Sequence, residues 1–96
     1  MNIRKLKPVI KKNTYVYVKH LETAKGYIYQ QWDPDFTIEG KRASRLVRYE
    51  VFLKRVTKPH PKDTGMFDKT ESFPHDEAFG KWAWSCRTVE QAIAKL

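Results

Sequence analysis

The stretch KRASRLVRYEVFLKRV, residues 41–56, carries the clearest periodicity of the chain. Val47, Tyr49, Val51 and Leu53 alternate with Arg48, Glu50, Phe52 and Lys54. A period of two is the pattern of a half-buried strand, because successive side chains leave opposite faces of a pleated backbone. The segment is therefore expected to be the central strand of an antiparallel sheet, with Val47, Tyr49, Val51 and Leu53 turned inward and an outer face around Phe52.

Upstream, TYVYVKH from Thr14 has the β-branched and aromatic content of a strand, read over residues 14–21, with Tyr15, Tyr17 and Lys19 on one face and Val16, Val18 and His20 on the other. ETAKG supplies turn chemistry, and YIYQQW follows as a second strand, with Tyr27 and Tyr29 on one face and Ile28 and Trp32 on the other. DPD at 33–35 reads as a turn and FTIE as a brief strand before Gly40. Residues 57–70 contain prolines and a glycine without periodicity, the signature of a mobile loop. Downstream, Pro74 and the acidic pair Asp76 and Glu77 suit one helical turn at 74–79. KWAWSC reads as a strand with Trp82 and Trp84 on one side. Thr88 and Gln91 then form a capping box for a C-terminal helix whose apolar face is Val89, Ala92, Ile93 and Leu96.

These elements predict an α+β fold: an antiparallel sheet of about four strands with the C-terminal helix packed on one face. Residues 1–13 form a basic N-terminal arm and residues 14–96 one domain. A chain of 96 residues and 11.4 kDa buries only about 60 to 65% of its unfolded surface, so a small protein needs its tryptophans. The cluster Phe79, Trp82 and Trp84 is accordingly read as core packing rather than a ligand surface. The tyrosines read differently: Tyr15, Tyr17, Tyr27 and Tyr29 fall on neighbouring strands, opposite the aliphatic face, and are expected to form an open patch beside Lys19.

The net charge of +8 and an isoelectric point near 9.7 point to polyanionic partners. Charge is arranged in blocks, basic over residues 1–25 and 41–62 and acidic over 26–40 and 63–80. Bases stack on aromatic rings while cations meet phosphates. The expected nucleic-acid-binding set is Tyr15, Tyr17, Lys19, Tyr27, Tyr29, Lys41, Arg42, Arg45, Arg48 and Lys54. A second basic group, Arg4, Lys5, Lys7, Lys11 and Lys12, lies in the N-terminal arm. The alternative partner is a host protein contacted by the acidic segment from Asp63 to Glu77.

Signals for other chemistry are weak. His20, His60, His75 and Cys86 lack the spacing of a metal site, and no glycine-rich phosphate loop occurs. Cys86, next to Arg87 and just before a helix, has one attribute of a nucleophile, a setting that favours thiolate, but no identifiable base. Asp76 and Glu77 are accounted for by the helix dipole. No catalytic residue, metal, cofactor or small-molecule substrate is therefore expected. A single cysteine suits a reducing compartment, and neither a signal-peptide pattern nor an apolar run of membrane-spanning length occurs.

From Tyr49 onward the chain resembles small proteins of bacteriophages and bacterial mobile elements. The resemblance is carried by Tyr49, Glu50 and Val51, then Phe73 and Pro74, Phe79 and Gly80, Ala83 and Trp84, and Thr88 and Ala92. It implies a small non-enzymatic accessory protein in the cytoplasm of a bacterial host, binding nucleic acid or blocking a host protein.

Overall fold

A computed structural model describes residues 3–57 and 69–96. In chain order the elements are β1 (Ile3–Arg4), β2 (Val9–Lys12), β3 (Tyr15–Glu22), β4 (Gly26–Ile38), β5 (Lys41–Leu53), β6 (Val56–Thr57), β7 (Lys69–Glu71), β8 (Ala83–Cys86) and α1 (Val89–Ala94). A 3-10 turn at Asp76–Ala78 precedes β8.

The architecture is α+β, built on a five-stranded antiparallel sheet in the order β2-β3-β4-β5-β8. It has one strand more than expected because Val9–Lys12, within the anticipated N-terminal arm, pairs with β3. The alternation in residues 47–54 is realised in β5, which lies between β4 and β8. Val51 packs with Ile28, Cys86 and Ala92 beneath α1, and Tyr49, Trp84 and Leu96 flank that cluster. Thr88 caps the helix by accepting the Gln91 amide at 3.2 Å, and Gln91 Oε1 accepts the Arg87 amide at 3.1 Å. Ile93 departs from the expected apolar face and is 50% exposed.

The opposite face is where the structure overturns the sequence reading. Tyr17, Tyr27, Tyr29 and Phe52 are buried there with Trp82, so neither an open tyrosine patch nor an outer face at Phe52 exists. A second layer covers them. β1, β7 and β6 form a small three-stranded sheet, and Leu6 and Phe73 pack onto the tyrosines beside it. Each phenol finds a polar partner, which removes the penalty of burying it. Tyr27 Oη donates to Glu71, Tyr29 Oη donates to the Lys7 carbonyl at 2.7 Å, and Tyr17 Oη accepts from Gln31 Nε2 at 3.1 Å. Phe52 stacks on Tyr29 with ring centroids 5.6 Å apart and meets Phe73 edge-on at 5.3 Å.

Trp82 and Trp84 also part company. Trp82 precedes β8 and joins the tyrosine cluster, whereas Trp84, inside β8, belongs to the helix side. The reading of both indoles as packing material holds, but Phe79 remains 38% exposed. Of the loop expected at 57–70, residues 58–68 lie outside the described residues.

DPD does not end a strand. β4 runs through Pro34, with an irregularity between Asp33 and Phe36 that accommodates the proline. The chain reverses at Glu39 and Gly40, whose φ angles of 51° and 75° are those of a two-residue hairpin turn. Residues 41–48 are therefore strand, extending β5 upstream of the alternation at 47–54. β3 meets β4 no further than Trp32, and β8 meets β5 only from Tyr49. Beyond those points the hairpin continues as a two-stranded ribbon of about seven residues on each side, roughly 20 Å long.

Candidate functional site

The ten residues expected to hold nucleic acid fall into three groups. Tyr17, Tyr27 and Tyr29 are buried and unavailable for stacking. Lys19 and Lys54 are committed elsewhere. Their ammonium groups reach Glu22 at 3.5 and 2.8 Å, and both lie 5.1 Å from the centre of the Tyr27 ring. Lys5 joins the same carboxylate at 3.1 Å. Hydrogen bonds from Lys54 and Lys5 hold the Glu22 carboxyl down at about 2, so this cluster is a three-cation clasp on one anion.

Half-buried Tyr15 and the β5 cations Lys41, Arg42, Arg45 and Arg48 make up the third group. Lys41, Arg45 and Arg48 are exposed, and Arg42 stands opposite Thr37 in the ladder. Charge in the ribbon is sorted by strand: β4 carries Asp33 and Asp35, Glu39 follows in the turn, and β5 carries the four cations. Because the antiparallel ladder puts the two strands side by side, acidic residues line one strand of the ribbon and basic residues the other, with Asp33 directly opposite Arg45. The basic edge continues the line of β8, where Arg87 follows the last strand residue.

Two pockets meet at Ser85 near the root of this edge. One, of about 230 Å³, is lined by Val47, Arg48, Ser85, Cys86 and Arg87. It brings two guanidinium-bearing residues to one cleft, a set suited to a phosphate or other oxyanion. The other, of about 280 Å³, has Gln31, Glu50, Ser85 and Tyr17 in its polar wall and Tyr15, Phe73 and Phe79 among its aromatic residues.

The polar wall of the second pocket is unusual for a sheet interior. Glu50 is 5% exposed and Gln31 is 8% exposed. Burial pushes the Glu50 carboxyl up, while the hydrogen bond from Ser85 and the charges of Arg48 and Lys12 act against the rise. Ser85 Oγ donates to Glu50 Oε2 at 2.7 Å. Gln31 Nε2 donates to Tyr17, but Gln31 Oε1 is buried and has no hydrogen-bond partner among the described residues. Lys12, at the rim, donates to the Pro74 carbonyl at 3.1 Å.

No family model, curated protein or solved structure matches the chain.

Gln31, Glu50, Ser85 and Arg87 were absent from the sequence-based site. The available signal was parity: Gln31 shares the alternation of Tyr27 and Tyr29, and Glu50 that of Phe52, so each is a polar residue at an apolar-face position. Cys86 is buried, and burial raises its thiol pKa, the opposite of the shift that a nucleophile requires. Among the described residues, no group of three or more His, Cys, Asp and Glu side chains is arranged to hold a metal ion, and no helix is long and apolar enough to cross a membrane.

Proposed function

We propose that this chain is a small non-enzymatic nucleic-acid-binding protein of a phage or mobile element, contacting the phosphate backbone along the β5 edge. The observation that carries this reading is the convergence of Arg48 and Arg87 on one cleft with Ser85, in line with Arg45 and Lys41 further along the strand. Arginine presents a planar fork of N–H donors that matches phosphate oxygens two at a time. Stacking by the three buried tyrosines plays no part.

Contacts of this kind release condensed counterions, so affinity falls with a steep power of salt concentration. Fluorescence anisotropy with single- and double-stranded oligonucleotides tests the reading. Binding at low salt that weakens steeply as salt rises is expected, and Arg48→Ala with Arg87→Ala should reduce both affinity and slope. Undetectable binding to either form at low salt refutes it.

A second reading rests on the sorted charge of the ribbon. An acidic strand beside a basic one, in a ribbon of two strands that extends past β3 and β8, suits addition of a strand from a protein partner. A stoichiometric partner that survives nuclease treatment of a host lysate would favour it. The acidic segment first considered for such a contact begins at Asp63, outside the described residues.

A further inference from the structure

The Glu50 pocket has features that phosphate contacts do not explain. An interior carboxyl is costly in a small protein, and in the same wall Gln31 Oε1 is left without a partner among the described residues. Both groups are hydrogen-bond acceptors. A ligand for this wall must therefore offer several N–H donors close together, along with a flat face for the aromatic residues. Asp76 also lines the pocket, but with Lys12 at the rim and the charge of Arg48 felt at Glu50 a free cation is the poorer match.

Among nucleobases, guanine alone presents two adjacent donors, N1–H and the N2 amino group, on its Watson–Crick edge. Adenine and cytosine each place one amino group beside an acceptor nitrogen, and uracil or thymine places one N–H between two carbonyls. A carboxylate accepts the two parallel guanine donors with its two oxygens.

We propose that the pocket receives an unpaired guanine of a single-stranded nucleic acid, with N1–H and one N2 hydrogen on the Glu50 carboxylate and the neighbouring phosphate between Arg48 and Arg87. The second N2 hydrogen goes to Gln31 Oε1. That atom is closed to solvent, so a rotation of the Gln31 side chain accompanies binding. The base lies against Tyr15 and Phe79, and Ser85, common to both pockets, holds Glu50 in place from the phosphate side. The inference rests on the nucleic-acid reading above and assigns it a base preference.

The test is anisotropy with short thymidine oligomers carrying one central guanosine, inosine, adenosine or cytidine, against the all-thymidine oligomer. The guanosine oligomer should bind roughly tenfold more tightly than those with adenosine, cytidine or thymidine alone. Inosine lacks the N2 amino group and should fall between. Glu50→Gln should remove the preference, and Arg87→Ala should weaken all oligomers alike. These comparisons begin with the unmodified protein, so they do not depend on a variant folding. Equal affinity for all the oligomers overturns the base pocket and leaves the basic edge standing. Inosine binding as tightly as guanosine also overturns it. Failure of every oligomer to bind overturns the base pocket, and overturns the basic edge as well if a duplex also fails to bind at low salt.

Discussion

At the scale of single residues, Glu50 and Gly26 show opposite relations to stability. Glu50 is a buried acid whose ionised form is disfavoured by its surroundings. Replacing it with glutamine keeps an acceptor for Ser85 and removes the charge. Glu50→Gln is therefore expected to raise stability at neutral pH by about 1 kcal/mol, seen as a melting temperature higher by about 4 °C or more; a lower melting temperature would show that the carboxylate is structurally required. Gly26 permits a close approach of backbones. A Cβ there would stand 2.1 Å from the Phe52 carbonyl oxygen and 2.9 Å from Leu96 Cδ2. Gly26→Ala should cost about 2 kcal/mol or more, because the obstacle is main chain and cannot rotate away; denaturant melts would measure it. The sequence marked Gly26 only as the end of a turn, since the crowding comes from residues far along the chain.

Among the elements, β5 was the most legible and the small sheet the least. Alternation over residues 47–54 correctly put Val51 and Phe52 on opposite faces, but it could not say that both faces are covered. A strand buried on both sides need not show a polar face, and here Phe52 and the tyrosines were the signs of that. β1, β6 and β7 span only two or three residues each, too few for any period, so the layer they build was read as arm and loop. The candidate site suffered the same way: Arg48 was found by its charge, whereas Gln31 and Glu50 gain meaning only once their face is known to be interior. The ribbon offers a local test. Glu39 adopts a left-handed conformation with φ 51°, which asparagine tolerates better than glutamate. Glu39→Asn should therefore stabilise the protein by about 0.5 kcal/mol, and should do so with little change in oligonucleotide affinity, because the basic residues lie on β5.

For the molecule as a whole, acid sensitivity is expected to centre on Glu22. Its carboxyl is held at about 2 by Lys54 and Lys5, and Lys19 lies alongside, so the clasp joins the N-terminal segment to β3 and the end of β5. A depressed native pKa gives stabilisation that is present above the unfolded carboxyl value and lost as the native group protonates. Stability should fall between about pH 4.5 and 2, and Glu22→Gln should flatten the melting curve across that window. Glu50, with its pKa raised, contributes in the other direction, so the double variant is needed to separate them. The covering of the tyrosines has a temporal side as well. The main-chain carbonyl that receives Tyr29 comes from Lys7 and the carboxylate that receives Tyr27 from Glu71, so the roof is assembled from stretches far apart in the polypeptide. During synthesis the β2–β5 meander leaves the ribosome before Glu71 exists, with its phenol rings still wet. A nascent chain arrested before that glutamate should therefore bind hydrophobic dyes and holdase chaperones, and release them once the remaining residues emerge.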